Sequence, residues 1–117
     1  MVRPSWEEYF VSIAKVVANR ASCPRATCGA IIVSQDNRIL STGYNGSPSG
    51  QPSCYDTGCN VDNDHCQTAI HAEVNAVAWA ARKGIPLEGS RLYLYSDKYK
   101  TPCRECIKVL TAAGVQW

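Results

Sequence analysis

Two short motifs that lie far apart in the chain carry metal-binding side chains near the predicted starts of two helices. His71 and Glu73 stand where an alanine-rich helical pattern begins, and Cys103 and Cys106 follow Pro102 with the spacing Cys-x-x-Cys. Alone, a Cys-x-x-Cys pair fits a disulfide, a redox couple or half of a metal site. One imidazole and two thiolates are zinc ligands, and three of them leave a fourth position open for water. A shared ion requires these two helix starts to lie together.

The composition favours thiolate ligation over disulfides. Seven cysteines are many for 117 residues, and the count is odd. The first eight residues lack the apolar core of a secretion signal, and no apolar run is long enough to cross a membrane. We therefore expect a cytoplasmic protein without a membrane partner, where disulfides are rare. A net charge of +2 and the lack of a basic-aromatic stripe disfavour nucleic acid as a partner, and the length fits one domain, residues 1–117.

The first predicted element is a helix that begins after Ser5. Ser5 and Glu8 have the spacing of a capping box, and the helix is expected to fade near Ala21, ahead of Cys23-Pro24. Helical periodicity places the buried face on Tyr9, Ile13, Val16 and Val17.

The remaining pattern predicts an α/β fold. Strands are expected at 29–34, 39–44 and 91–96, with Val115–Trp117 beginning a fourth. A helix over 69–82 is predicted to bury Ile70, Val74, Val77 and Ala81, and another over 103–113 to take Thr101 as N-cap and Pro102 as its first residue. This order argues for a mixed central sheet with helices on both faces. The polar stretch 45–64 is longer than an ordinary connecting loop, so we expect specific interactions to fix it to the rest of the domain.

The two motifs together, H-x-E followed by P-C-x-x-C, are the known signature of the zinc-dependent nucleobase deaminases. Further stretches resemble the deoxycytidylate (dCMP) deaminases among them: 23–25 (CPR), 29–33 (GAIIV), 43–48 (GYNGSP) and 65–66 (HC). The resemblance implies a three-layer α-β-α, cytidine-deaminase-like fold. It also implies hydrolysis of dCMP to dUMP and ammonia, which supplies thymidylate synthesis.

In this interpretation His71, Cys103 and Cys106 bind a catalytic zinc. Both sulfurs are predicted in the first turn of a helix, where the dipole and free amides favour thiolates. Glu73 is near enough to take a proton from the water that zinc activates to hydroxide, and to deliver it to the ring nitrogen and the departing amine.

The resemblance also implies substrate contacts. Asn45 would hydrogen-bond the sugar, and Ser47 with Arg25 would lie near the 5′-phosphate. An arginine fork suits an oxyanion, although Arg25 is equally compatible with an ordinary surface residue. Asn45 is also favoured in an Asn-Gly turn for backbone reasons.

The other cysteines suggest a second, structural zinc, which some members of the family contain. Its expected ligands are Cys23, Cys54, Cys59 and Cys66, with His65 as the alternate to Cys66. The simpler alternative is that several of these cysteines are small buried apolar residues. Cys28 is expected outside this site, as a buried strand residue.

The sequence departs from the family's pattern at two places, and base contacts of relatives are not assigned to residues there. The link 94–101 is longer than usual and borders the expected pocket, and the C-terminus at Trp117 is shorter than usual. Relatives are commonly homo-oligomers, often hexamers, regulated by dCTP and dTTP, and both properties are implied here. The alternatives are deamination of another free nucleotide or nucleoside (dCTP, deoxycytidine), of a base in single-stranded nucleic acid, or a zinc-binding module without activity.

Overall fold

The computed structural model describes residues 2–48, 50–59, 61–62, 65–66 and 70–117. In these residues the elements are α1 (Trp6–Ala18), β1 (Cys28–Val33), β2 (Ile39–Tyr44), α2 (Cys54–Thr57), β3 (Val61–Asp62), β4 (His65–Cys66), α3 (Ala72–Lys83), β5 (Arg91–Ser96) and α4 (Arg104–Ala112). The predicted order of the long helices and strands is confirmed. The stretch 45–64, predicted as a long loop, contains the short helix α2 and strand β3, which pairs antiparallel with β4 just beyond it.

Helix α1 begins where the sequence predicts, because the capping box forms. Ser5 Oγ accepts a hydrogen bond from the backbone N–H of Glu8 at 3.1 Å, and the Glu8 carboxylate accepts one from Ser5 N at 3.2 Å. The backbone N–H of Ser5 holds the pKa of Glu8 below its usual value. The helix ends at Ala18, earlier than expected.

The predicted buried face of α1 is wrong in part. The fully buried positions are Phe10, Ala14 and Ala18, whereas Val16 is 65% exposed. Ile13 and Val17 pack at the edge of this stripe. Small residues occupy the contact because β1 passes very close: a Cβ on Gly29 would lie 2.7 Å from the backbone nitrogen of Ala18. Hydrophobicity alone does not reveal such an approach.

The central sheet has the strand order β2-β1-β5, and both neighbouring pairs are antiparallel. Its register sets Ile31 opposite Thr42 on one side and Tyr93 on the other. The sequence predicted a mixed sheet, whereas the three described strands are all antiparallel. The parallel element is an isolated bridge of Gln116 with Arg91. The predicted fourth strand is therefore present as this single bridge.

Alternation along β1 divides the core between the two faces of the sheet. Ile31 and Val33 pack with Phe10 against α1. Ala30 and Ile32 face the other way, into a cluster that contains residues of α3 and Leu110 of α4. A period of two is what a strand buried on both faces requires. The predicted three-layer α-β-α architecture is confirmed.

Helix α3 is displaced and rotated relative to the prediction. It starts at Ala72, with His71 as its N-cap, and ends where Gly84 adopts a left-handed conformation (φ 69°). Its buried positions are Ala72, Glu73, Ala76 and Ala80. The predicted face is therefore wrong in part, because Ala81 is exposed while Val77 packs against the core. Alanines face the sheet because β2 crosses at Gly43, where a Cβ would lie 2.6 Å from Ala76 N.

In the part of the chain that the structure describes, no helix combines the length and the apolar character needed to cross a membrane.

Candidate metal centre and active site

The starts of α3 and α4 carry the three ligands predicted for the catalytic zinc. His71 is the N-cap of α3, Cys103 is the N-cap of α4, and Cys106 lies in the first turn of α4. The predicted cap at Thr101 is wrong, because Cys103 itself has the extended conformation of a cap (φ −72°, ψ 166°). Pro102 therefore precedes the helix instead of opening it.

The three donor atoms form a small triangle. His71 Nδ1 lies 3.2 Å from Cys106 Sγ and 3.4 Å from Cys103 Sγ, and the two sulfurs are 3.5 Å apart. With ordinary Zn–N and Zn–S bonds, tetrahedral angles give edges of about 3.6 Å for N···S and about 3.8 Å for S···S. The triangle matches these edges to within a few tenths of an ångström, so the donor set fits zinc.

Glu73 lines the same cavity as His71 and Cys103 and lies close to the Cys106 thiol. Its side chain is almost fully buried, at 5% exposure, as the sequence context suggested. Burial raises the pKa of the Cys106 thiol strongly, and the nearby Glu73 carboxylate raises it further. The expected promotion of the thiolate by the helix dipole is therefore outweighed at Cys106, and a metal cation must displace the thiol proton.

A cavity of about 330 Å³ opens onto the triangle. Its floor is formed by His71, Glu73 and Cys103, and its walls are largely apolar. The remaining lining residues are Ala26, Cys28, Asn45, Ala72, Leu94, Ser96, Tyr99, Thr101 and Pro102. A largely apolar cleft with a few converging polar groups is the usual form of a small-molecule site.

Asn45 lies in the wall of this cavity and is buried (7% exposed). Its Oδ1 accepts a hydrogen bond from Cys28 N at 2.8 Å, and its Nδ2 donates one to the carbonyl of Ala26 at 2.7 Å. Within the described part of the chain these bonds use one amide hydrogen of Asn45, which leaves the second for another acceptor. Asn45 thus has a structural role that is compatible with its predicted substrate role.

The turn after Asn45 is fastened to the residue that precedes His71. Gly46 and Ile70 exchange backbone hydrogen bonds of 3.0 and 2.7 Å. Asn75 of α3 donates from Nδ2 to the carbonyl of Tyr44 at 2.9 Å. These bonds hold one wall of the cavity against the metal-binding helix start. The role of Asn75 was not predicted from the sequence. A polar residue within the apolar helical pattern was its only signal.

The two predicted phosphate contacts lie outside the lining of this cavity. Ser47 lines a separate groove with Asn75 and Trp79, and its Oγ is buried with no hydrogen-bond partner among the described residues. Arg25 is half-buried and directly precedes Ala26, which does line the cavity. Both assignments remain predictions.

Three of the cysteines predicted for a second metal site also come together. The Sγ atoms of Cys23, Cys54 and Cys59 lie within 4.8 Å of one another, and Cys23 and Cys54 are buried. The other predicted ligands, His65 and Cys66, form strand β4, but their side chains lie outside the described residues. Helix α2 supplies Cys54 just after Ser53, whose capping box with Asp56 starts the helix.

Cys28 is not part of this cluster and lies in β1, as predicted, but it is only partly buried. Its thiol lines the cavity and lies 3.2 Å from Ser96 Oγ, and burial raises its pKa. Ser96, Leu94 and Tyr99 were not predicted as site residues. The unusual length of the link 94–101 was the signal that pointed to this region.

The fold and this site together define a cytidine-deaminase-like protein. The family model described as the cytidine and deoxycytidylate deaminase zinc-binding region matches residues 4–117, and the chain belongs to this family. The family and the donor set support Zn²⁺ as the metal.

Named relatives agree with this membership. The chain is 40% identical over 116 residues to ComE operon protein 2 of Bacillus subtilis (strain 168), covering 99% of this chain and 59% of that protein. It is 34% identical over 132 residues to the deoxycytidylate deaminase of Mycobacterium phage D29, covering 99% and 94%. The dCMP deaminase of cyanophage S-TIM5, solved with dCMP and dUMP, superimposes with a TM-score of 0.78 at 30% identity, covering 98% and 79%.

Proposed function

We propose that this chain is a zinc-dependent deaminase that hydrolyses dCMP to dUMP and ammonia. The observation that carries the proposal is the triangle of His71, Cys103 and Cys106 beside buried Glu73, at the floor of a cavity that Asn45 also lines. The named deoxycytidylate deaminases among its relatives support dCMP as the substrate. Supply of dUMP for thymidylate synthesis would be its metabolic role.

In this mechanism the protein contributes ligands, a proton carrier and a shielded cavity. A zinc ion held by these ligands would act as a Lewis acid and lower the pKa of water towards neutrality. Glu73 takes one proton from the attacking water and delivers it to N3 of the cytosine ring. The water oxygen bonds to C4, the C4–N4 bond breaks, and Glu73 carries the second proton to the departing nitrogen, which leaves as ammonia. The burial of Glu73 keeps bulk water away from these transfers.

The proposed substrate contacts follow from the position of Asn45. The second amide hydrogen of Asn45 is available to bind the sugar. The two hydrogen bonds that Asn45 makes within the protein hold its side chain in place. Arg25 and Ser47 are proposed at the 5′-phosphate. Ser47 follows Asn45 by two residues, and Arg25 directly precedes Ala26, which lines the cavity and whose carbonyl accepts a hydrogen bond from Asn45.

We also propose a second, structural zinc on Cys23, Cys54 and Cys59, with Cys66 as the fourth ligand. Four protein ligands close a structural site and tie a loop to the core. The register of the hairpin supports Cys66 over His65. Cys66 pairs with Val61, whereas His65 pairs with Asp62, one residue further from Cys59.

Further proposals rest mainly on the family. The family model spans 4–117, which supports a single deaminase domain in this chain. Assembly into a homo-oligomer and regulation by dCTP and dTTP follow from the resemblance. Light scattering tests the assembly, and a monomer contradicts it. Deamination rates measured with and without dCTP and dTTP test the regulation, and unchanged rates contradict it.

The proposed activity is tested by ammonia release from dCMP, dCTP, deoxycytidine, cytidine and a cytosine-containing single-stranded oligonucleotide. We expect dCMP to have the highest kcat/KM, and turnover of another substrate in its place overturns the assignment. Glu73→Gln keeps the shape of the side chain but removes its charge. It is expected to retain zinc and lose turnover by at least about 100-fold, and substantial residual activity would remove Glu73 from the proposed role.

A further inference from the structure

The link between β5 and α4 is built as an ordered turn. Ser96 Oγ accepts hydrogen bonds from the backbone N–H groups of Lys98 and Tyr99 at 3.1 and 3.0 Å. Asp97 is held to Thr27 by two bonds: its N–H donates to the Thr27 carbonyl at 3.1 Å, and its Oδ1 accepts from Thr27 N at 2.9 Å. The turn therefore has a defined position relative to the cavity wall.

This turn brings an aromatic ring to the mouth of the cavity. Tyr99 lines the cavity, yet 62% of it is exposed to solvent. The other apolar walls are Ala26, Leu94 and Pro102. An exposed aromatic ring beside an apolar slot with a polar floor offers a stacking surface for a flat heterocycle.

We propose that Tyr99 is a substrate-binding residue on which the pyrimidine ring of the substrate stacks. The inference rests on the proposed function, and it assigns recognition of the base to the lengthened link. Ser96 and Asp97 act as positioning residues, because their hydrogen bonds place Tyr99. The zinc ligands and Glu73 handle the reacting atoms, so Tyr99 acts through binding of the ring.

Base stacking on an aromatic side chain strengthens binding by between about 5-fold and about 150-fold in nucleic-acid-binding proteins. Tyr99→Ala is therefore expected to raise KM for dCMP and the dissociation constant for dUMP at least about fivefold. A smaller change is expected in kcat, because the ring makes no contact with the transferred protons. Tyr99→Phe keeps the stacking face and is expected to stay within about twofold of the wild type.

The test compares the zinc-loaded wild type, Tyr99→Ala, Tyr99→Phe and Tyr55→Ala by steady-state kinetics and by calorimetric titration with dUMP. Tyr55 is a matched control, since it is 67% exposed and does not line the cavity. In parallel, NMR spectra of protein with isotopically labelled tyrosine rings are recorded during the dUMP titration. The Tyr99 signal, assigned from Tyr99→Phe, is expected to move by a ring-current shift that the Tyr55 signal lacks.

The outcomes separate this inference from the proposed function. If the wild type deaminates another cytosine compound instead of dCMP, the substrate assignment fails, and the same comparison on that compound still decides the role of Tyr99. Equal KM and dUMP affinity in wild type and Tyr99→Ala overturn the stacking role even if dCMP is the substrate. A wild type that binds no pyrimidine overturns both.

Discussion

Gly43 controls the distance between β2 and the helix that carries His71 and Glu73. A Cβ at this position would lie 2.6 Å from Ala76 N and nearer still to the carbonyl oxygen of Ala72. Real Cβ atoms essentially never approach another heavy atom within 3.0 Å. Both neighbours are backbone atoms, which cannot rotate away. Gly43→Ala must therefore push α3 from the sheet by about 0.4 Å or more.

This displacement is large for a metal centre. His71 moves with α3. Helix α4 packs on α3 as well, but the chain ties it to the sheet through β5 before it and through the bridge of Gln116 with Arg91 after it, so Cys103 and Cys106 cannot follow His71 fully. Ligand distances in metal sites hold to within about 0.2 Å. We expect zinc affinity to fall by about 10-fold or more. Overpacking also lowers the free energy of unfolding by about 1–3 kcal/mol. For a chain of this size, that corresponds to a melting temperature lower by about 4 °C per kcal/mol.

Gly29→Ala is the matched control for this prediction. Its Cβ would lie 2.7 Å from Ala18 N, so it pushes α1 from the opposite face of the sheet, and α1 carries none of the predicted ligands. We expect a comparable loss of stability with unchanged zinc affinity. The assays are thermal unfolding by circular dichroism and competition for zinc with a chromogenic chelator, at a temperature where all variants are folded. If Gly43→Ala binds zinc as tightly as Gly29→Ala, the argument that this contact positions the catalytic ligands is refuted.

Four further predictions concern the second site, the dependence of zinc affinity and of stability on pH, and the cap of α1. Cys54→Ser is expected to lower the zinc content from about two to about one ion per chain, measured by elemental analysis, and a wild-type content near one excludes the second site. Because burial raises the pKa of Cys106, zinc affinity is expected to fall as the pH is lowered. In zinc-free protein the folded thiol stays protonated while the unfolded one ionises near about pH 8.5, so stability is expected to fall as the pH rises through that value. Chelator competition and denaturant titrations across pH check these two trends, and flat profiles contradict them. Ser5→Ala is expected to cost about 1 kcal/mol of stability without changing kcat/KM for dCMP, and a loss of activity would show that the cap does more than start α1.

Local patterns predicted the secondary structure well where one principle dominates. The capping box at Ser5 and the strand pattern of 91–96 needed no tertiary information, because side-chain chemistry and alternation act over a few residues. Faces of helices were less predictable. Val16 was expected inside and is exposed, while alanines line the contact. Burial there depends on how near the sheet approaches, which is a long-range property.

The candidate site also has a part that the sequence predicts and a part that it does not. The sequence identified the residue types that suit zinc and a proton carrier, since these are properties of individual side chains in short motifs. It misplaced the cap of α4 at Thr101, because Thr is a good cap and Cys is not. Tyr99 could not be predicted as a site residue from the sequence, because only the turn held by Ser96 and Asp97 brings it to the cavity.

The sequence by itself therefore determined the chemistry available to this protein: an imidazole, two thiolates and a carboxylate at the starts of predicted helices, on an α/β scaffold. The tertiary structure decided which of these groups meet. It joined His71 to Cys103 and Cys106, gathered Cys23, Cys54 and Cys59 at a separate place, and left Cys28 in the cavity wall. The physical reason is that ligand identity is carried by each side chain, whereas ligand distance is set by the packing of α3 at close approach to Gly43.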